Sequence, residues 1–446
     1  MGLILRMLYR IQRIISALRR RMLRRYSRTG LVVLTAAVVS AAMGVDMEST
    51  TAYQAFTLLA ALLLVSLCFS RFFRGKFSAA RQLPRFGTVG QPFNYPLRLL
   101  NETKSVQSDL VLIEDLADAR PKYREWRDFK LAEQKTARSL RLDGSRPNPF
   151  KLATIKEAAV PTMRPNEEVE VRLEVMPLRR GVLRFEGITL ARPDPLGLVR
   201  ALATFSLGES ALILPKRYPL ASVAMPGQLK YQDGGVALAS RVGRSEEFVA
   251  LRDYRSGDPL RHIHWRSWAK TGKPIVKEFA DEFFVRHALV LDTFSHPHSE
   301  AFEEAVSVAA SFACTIQTQE SLLDLLFVGE QAYCVTAGRG LAHADQMLEI
   351  LASVQARADK TFQTLESLVL NHAGVVSGCV CILLDWDEPR RKFVEKLKMS
   401  GVPTLVLVVL AASPQKPLDP GPMRDEPEHF HTLIVGQIEK GLSLLG

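Results

Sequence analysis

Three things are scarce in this 446-residue chain: cysteine, acidic residues at its N-terminal end, and the short motifs that mark common catalytic centres. The five cysteines are Cys68, Cys314, Cys334, Cys379 and Cys381. An odd set inside apolar segments suits no closed disulfide framework and reads as reduced core residues. Cys379 and Cys381 would share one face of a strand, but a single C-x-C without further ligand spacing is a weak zinc pattern. There is no G-x-S-x-G, no P-loop and no H-E-x-x-H, so the usual signatures of a serine hydrolase, an NTPase and a zinc protease are missing.

Residues 1–28 hold nine arginines and no acidic residue. Ile4, Met7, Leu8, Ile11, Ile14, Ile15, Leu18 and Met22 recur at helical spacing, with Arg6, Arg10, Arg13, Arg20 and Arg24 largely on other faces. Such a basic amphipathic helix suits the lipid of an anionic membrane surface. Those nine arginines account for nine units of the net charge of +11, leaving +2 for the remainder. A body so near neutrality argues against nucleic-acid binding.

Long apolar runs are also few. Leu31 to Val45 and Ala52 to Phe69 are separated by a short acidic connection with Asp46 and Glu48, and Arg71, Arg74, Lys76, Arg81 and Arg85 follow. Each run is near the lower limit of about 17–20 residues for a spanning helix. Residues 29–70 are therefore expected to form a two-helix transmembrane hairpin, with the N-terminus and the main body on the cytoplasmic side by the positive-inside rule. Val39-Ser40-Ala41 offers a signal-peptide reading, against which stand the second apolar run and the long basic segment.

Beyond the hairpin, period-two alternation and turn residues between 85 and 215 suggest a β-sandwich domain, interrupted by a charged excursion at 117–158 with Trp126 and Phe129 as its anchors. Asp194 to Gly197 reads as a β-turn. Residues 216–245 have the composition of a linker. From 286 to 446, apolar strands alternate with amphipathic helices, the pattern of an α/β domain with a mainly parallel sheet. The fold class is thus α+β and multidomain.

Between these domains, residues 246–285 interleave charges and aromatics densely. Asp258 before Pro259 predicts an N-cap and a first helical proline, and Gly272 a stop, giving a helix from Pro259 to about Thr271 that anchors Trp265 and Trp268. His264 beside Glu246, Glu247 or Asp258 could form an acid-base set, but no nucleophile accompanies it, and its helical face is that of Leu260, Ile263 and Trp268. A packing histidine is the alternative, and no catalytic residue is assigned. Arg252, Asp258, Arg261, Lys270, Lys277 and Glu278 are expected to make ion pairs between elements or to face a partner.

The run Leu251-Arg252-x-Tyr254-x-x-Gly257-Asp258-x-x-Arg261-x-Ile263-x-Trp265, with Ala269-Lys270 and Val276-x-Glu278, resembles the signature of a bacterial family known as domain of unknown function 58. Glu247 lies just before it. Arg180-Gly181 and Asp194-Pro195-Leu196-Gly197-Leu198 extend the resemblance toward the N-terminus. The resemblance implies a von Willebrand factor A-like domain over 286–446. It also implies work with a MoxR-type AAA ATPase at the bacterial inner membrane, near transglutaminase-like membrane proteins. In a von Willebrand A fold the first strand ends in Asp-x-Ser-x-Ser and holds a divalent cation. Here Asp292 is present, but Phe294 and His296 occupy the serine positions. Asp292, His296, His298 and Asp385 remain a degenerate metal set, suited to a transition metal. A non-enzymatic membrane adaptor is the expected function, and a metal-dependent enzyme using Asp292 and nearby histidines the alternative.

Overall fold

The computed structural model describes residues 2–43, 50–73, 75–117, 121, 123–124, 126–127, 129, 150–220, 243–255, 260, 263–282, 285–296, 299–315, 321–338, 341–414 and 416–445. They divide into two compact units: residues 1–216 with 296–298 and 348–354, and the remainder.

The first unit begins with three helices, α1 (Gly2–Arg25), α2 (Arg28–Met43) and α3 (Thr50–Arg71). α1 is amphipathic in the expected register. At 100° per residue Tyr9 falls opposite the stripe through Met7, Leu8, Ile11, Ile14, Ile15 and Leu18. The Tyr9 hydroxyl donates to the Pro121 carbonyl at 2.9 Å and its ring meets those of Tyr123 and Trp126. Trp126, buried, donates from Nε1 to Gln12 at 3.0 Å. The six stripe residues are each at least 42% exposed, so the apolar face of α1 is not the face that holds the protein. α2 and α3 pack against each other. α3 is long and apolar enough to cross a membrane, whereas α2 is a shorter apolar helix.

Nine strands follow: β1 (Phe77–Arg81), β2 (Phe86–Thr88), β3 (Phe93–Asn101), β4 (Leu110–Leu116), β5 (Ala153–Ile155), β6 (Ala158–Val160), β7 (Glu168–Pro177), β8 (Gly181–Pro193) and β9 (Arg200–Leu214). They form a four-stranded sheet β1-β3-β7-β5 and a five-stranded sheet β2-β9-β8-β4-β6. β1 lies before residue 85, the boundary expected from alternation, because Phe77–Arg81 pairs antiparallel with Leu97–Asn101. Both sheets contribute to one core: Tyr95, Leu97 and Leu99 of β3 and Val171, Leu173 and Val175 of β7 meet Leu183, Phe185, Ile188 and Leu190 of β8. The alternation shifts phase between Phe185 and Ile188 at a bulge on Gly187, where a Cβ would fall 2.2 Å from the Phe205 carbonyl oxygen. Within this core Glu114 accepts from Arg81 and from the Tyr95 hydroxyl, and the Arg81 guanidinium lies over the Phe185 ring. Burial pushes the Glu114 carboxyl up against these partners.

The second unit opens with an antiparallel hairpin of β10 (Gly243–Asp253) and β11 (Ile275–Glu282), with the short helix α4 (Trp265–Thr271) between its strands. Next in the chain come β12 (Val285–Leu291), α5 (Glu300–Thr315), β13 (Ser321–Val328), β14 (Ala332–Ala337), α6 (Leu341–Ser353), whose residues from 348 on group with the first unit, and α7 (Gln363–His372). The order ends with β15 (Gly378–Leu383), α8 (Glu388–Met399), β16 (Thr404–Leu410), β17 (Phe430–Ile434) and α9 (Ile438–Leu442). The sheet order is β14-β13-β12-β15-β16-β17, parallel except for β14. Ala288 and Val290 of β12, Cys379 and Cys381 of β15 and Val406 and Val408 of β16 face Leu365 and Val369 of α7 and Phe393, Val394 and Leu397 of α8. α5 packs against β12, β15 and β16. Of the five cysteines expected in the core, only Cys379 and Cys381 are buried; Cys68, Cys314 and Cys334 are exposed, because their segments turn those positions outward.

One core side chain ties stability to pH. His287 on β12 alternates with Ala288, is 1% exposed, and leaves Nδ1 without a hydrogen-bond partner. Burial lowers its pKa to about 4. The unfolded chain therefore takes up this proton near pH 6.5 and the folded chain only near 4, so stability falls as the pH drops through that window and is complete above it. Chemical denaturation between pH 7.5 and 4.5 should show a loss of up to about 3 kcal/mol that His287→Phe removes.

Candidate functional site

The order of the six-stranded sheet reverses direction between β12 and β15, and crevices at the carboxyl ends of strands form at such switch points. The chain places Asp292 immediately after β12 and Asp385 shortly after β15. Asp292 is fully buried. Its Oδ1 accepts the Phe294 N–H at 2.9 Å, and its Oδ2 accepts the Leu384 N–H at 3.1 Å and Arg390 Nε at 2.7 Å. The same guanidinium donates from Nη1 to Asp387 at 2.8 Å and lies 4.9 Å from the Phe362 ring centroid. Burial pushes the Asp292 carboxyl up, opposed by Arg390 and the two backbone donors. Burial also works against the charged form of Arg390, but its two carboxylates hold it up as a cation.

Among the described residues, the members of the expected metal set have other partners or stand exposed. Asp385 is exposed, and its Oδ1 accepts the N–H of Trp386 at 2.7 Å. His296 is exposed. His298 lies outside the described residues. No group of three or more His, Cys, Asp or Glu side chains suited to a metal occurs among the described residues. The physical reason at Asp292 is that Arg390 and the Leu384 N–H already share Oδ2, and the Phe294 N–H holds Oδ1. Arg390 escaped the sequence reading, although a signal was present: a basic residue in the first turn of a helix opposes the macrodipole unless a carboxylate meets it. Asp387 caps that helix by accepting the Arg390 N–H at 3.3 Å.

The signature segment folds differently from its expectation. α4 starts at Trp265 rather than Pro259, because Ile263 bridges antiparallel to Val276 and the His264 N–H donates to the Ile275 carbonyl at 2.8 Å. The bridge at Ile263 and the non-helical backbone of His264, φ −88° and ψ 86°, exclude a helix running through them. Gly272 ends α4 as expected, with φ +70° and its N–H on the Trp268 carbonyl. Trp265 is 64% exposed, so it is not anchored; it stacks on Trp268 at 5.3 Å between centroids. His264 is half-buried and shares a hydrogen bond of 2.7 Å with the Ser267 hydroxyl. Arg252 is half-buried and donates to the Asp253 carbonyl, the Tyr254 N–H donates to the Pro274 carbonyl at 2.9 Å, and Lys270 is exposed without an ion pair among the described residues. Gly257, Asp258 and Arg261 lie outside the described residues, as do the side chains of Glu247 and Glu278.

A third constellation lies in the first unit. The turn between β8 and β9 is closed by Gly197 N–H to the Asp194 carbonyl, with Gly197 at φ +67°. Asp194 Oδ1 accepts the Val199 N–H at 2.7 Å and Oδ2 accepts that of Leu196 at 3.1 Å. Burial works against its charge, but these donors win and hold the carboxyl below the usual range. The turn grips the start of α2: the Ser27 hydroxyl donates to the Gly197 carbonyl at 2.5 Å, the Ser27 N–H to that of Leu198 at 3.0 Å, and the Thr29 hydroxyl to Gly197 at 3.2 Å. Tyr26 bridges to Val199. Gly30 is required for this approach, since a Cβ there would fall 1.9 Å from the Leu198 carbonyl oxygen.

The family model described as "Protein of unknown function DUF58" matches residues 250–419, from the hairpin through β16 to the loop before β17. Residues 250–419 are a DUF58 domain. The chain is 28% identical over 181 residues to the uncharacterized protein YeaD of Bacillus subtilis (strain 168), a match over 40% of this chain and 44% of that protein. Among solved structures, the CARDB domain of a Pyrococcus furiosus protein aligns with 31% of this chain and 94% of its own, at 11% identity and a TM-score of 0.17. A Salmonella alpha-2-macroglobulin aligns with 34% of this chain and 8% of its own, at 13% identity and a TM-score of 0.19.

Two substitutions test the turn that grips α2. Asp194→Ala leaves two backbone N–H groups without acceptors and should cost about 1–3 kcal/mol in denaturant unfolding of the detergent-solubilised protein. Gly30→Leu should instead expose the 194–199 turn to limited proteolysis while leaving the DUF58 domain resistant.

Proposed function

We propose that the chain is a membrane-anchored, non-enzymatic adaptor that presents its DUF58 domain to a AAA ATPase partner of the MoxR type. The observation that carries this reading is the grip of the 194–198 turn on Ser27, Thr29 and Gly30, which fastens the two-sheet domain to the apolar helices. A loosely tethered enzyme needs no such joint, whereas an adaptor that receives or transmits force does. In this reading α2 and α3 form a transmembrane hairpin with both ends cytoplasmic. The exposed apolar stripe of α1 lies on the anionic leaflet with its arginines among the headgroups. The two sheets of the first unit act as a β-sandwich spacer, the six-stranded sheet is the core of a von Willebrand A-like domain, and α4 of the preceding hairpin, with its exposed Trp265, offers contact surface. A transglutaminase-like membrane protein is a further partner within the same proposal.

The metal-dependent alternative gains no support from Asp292, whose oxygens are taken by Arg390 and two backbone N–H groups.

Cross-linking in native membranes followed by mass spectrometry should recover a AAA ATPase, most strongly in one nucleotide state; metal-dependent turnover by the purified protein with no ATPase recovered would overturn the adaptor reading. Single cysteines introduced at Ser49 or Thr51 in a background lacking the native five should react with impermeant maleimide from the outer side. Labelling from the cytoplasmic side alone is the result that rules the hairpin out.

A further inference from the structure

The von Willebrand A resemblance implies a divalent cation at the carboxyl ends of β12 and β15, and the residues there do not fit one. We infer that the guanidinium of Arg390 is the permanent, protein-borne cation of this strand edge, bridging Asp292 and Asp387 where a metal ion would otherwise join carboxylates.

Both carboxylate oxygens of Asp292 are engaged. Oδ1 takes the Phe294 N–H, and Oδ2 takes the Leu384 N–H and Arg390 Nε. The two positions after Asp292 at which hydroxyl ligands would stand are Phe294 and His296. Phe294 turns its ring edge-on to Phe362, 5.8 Å between centroids, and Phe362 in turn meets Phe393 and carries the Arg390 guanidinium on its face. An incoming ion would have to displace a cation whose side chain is only 8% exposed and which is fixed by two carboxylates and an aromatic face. It would then find carbon on the Phe294 side where a hard cation needs oxygen. A guanidinium suits this position because its planar fork reaches two carboxylates at once. The charge that holds β12, β15 and the first turn of α8 together is therefore built into the chain and independent of metal supply. This inference does not depend on the partner proposed above.

The test uses the full-length protein in nanodiscs with Mn²⁺ as the probe. Wild type should show no saturable Mn²⁺ binding that Asp292→Asn abolishes, and its melting temperature should be the same in Mn²⁺ and in EDTA. Arg390→Ser frees both carboxylates and should raise Mn²⁺ affinity at least tenfold, with one ion bound, and the Arg390→Ser/Asp292→Asn double variant should lose that gain. Wild-type Mn²⁺ binding that requires Asp292 would overturn the inference, as would a folded Arg390→Ser protein with no gain. If Arg390→Ser does not accumulate, wild type and Arg390→Lys carry the test. Asp292-dependent Mn²⁺ binding by either is then the overturning result, and its absence from both the supporting one.

Discussion

A carboxylate buried at the carboxyl end of a parallel strand must meet positive charge or lose its own, because the desolvation of an ion in a protein interior costs several kcal/mol. Asp292 is that carboxylate, and much of the second unit is arranged by its requirement. The cation that meets it is carried on the first turn of α8, so the entry angle of α8 follows from the ion pair. That angle presents Phe393, Val394 and Leu397 to β15 and β16. Asp387 serves both ends of the arrangement, capping α8 by accepting the Arg390 backbone N–H at Oδ1 and taking the second arm of the Arg390 guanidinium at Oδ2. Removing either charge leaves the other uncompensated, which is the costly way to break a buried pair.

The first unit uses the same device with backbone in place of arginine. Asp194 also follows a strand and is buried, but it is met by the N–H groups of Leu196 and Val199, and the result is a rigid turn. The rigidity matters because the outer side of that turn is the surface that α2 touches. Its carbonyls at Gly197 and Leu198 accept from Ser27 and Thr29 only while Asp194 keeps the loop closed. Arg81 and Glu114 illustrate the third solution, a charge pair within the core shared by two sheets, completed by Tyr95. In all three places a carboxylate sets geometry.

The sequence made the regular elements legible because each has its own period. Alternation marked β7 and β8, continuous apolar runs marked β12, β15 and β16, and the spacing of Phe302, Ala305, Val306, Ala309, Phe312 and Ala313 marked the buried face of α5. Gly272 marked the end of α4. The helix expected from Pro259 to Thr271 does not run through Ile263 and His264, where the non-local bridge from Ile263 to Val276 outweighs the local helical signal, and Asp258 and Pro259 lie outside the described residues. β1 was missed because the basic residues around it resemble the flank of a membrane helix, yet its partner β3 needs an edge strand. At the strand edge, the sequence gives the carboxylate but not its partner, since Arg390 lies 98 residues further on. Only the convergence of β12, β15 and α8 makes the two adjacent.

These features bear on what a membrane-held adaptor of this kind would require. A chain segment leaving a helix transmits little force if it can swivel, and only residues 72–76 link α3 to β1. The turn at 194–198 supplies a second attachment far from that link in sequence, and two attachments remove the swivel. α1 adds a third through Tyr9, Gln12 and the ion pair of Arg24 with Asp115, 2.5 Å apart. None of these contacts uses the apolar stripe of α1. A helix that holds the body with its polar and aromatic face and leaves Met7 through Leu18 free is arranged to meet a second, apolar surface at the same time. In the adaptor reading that surface is lipid, and the body is then fixed to the bilayer by geometry as well as by a tether.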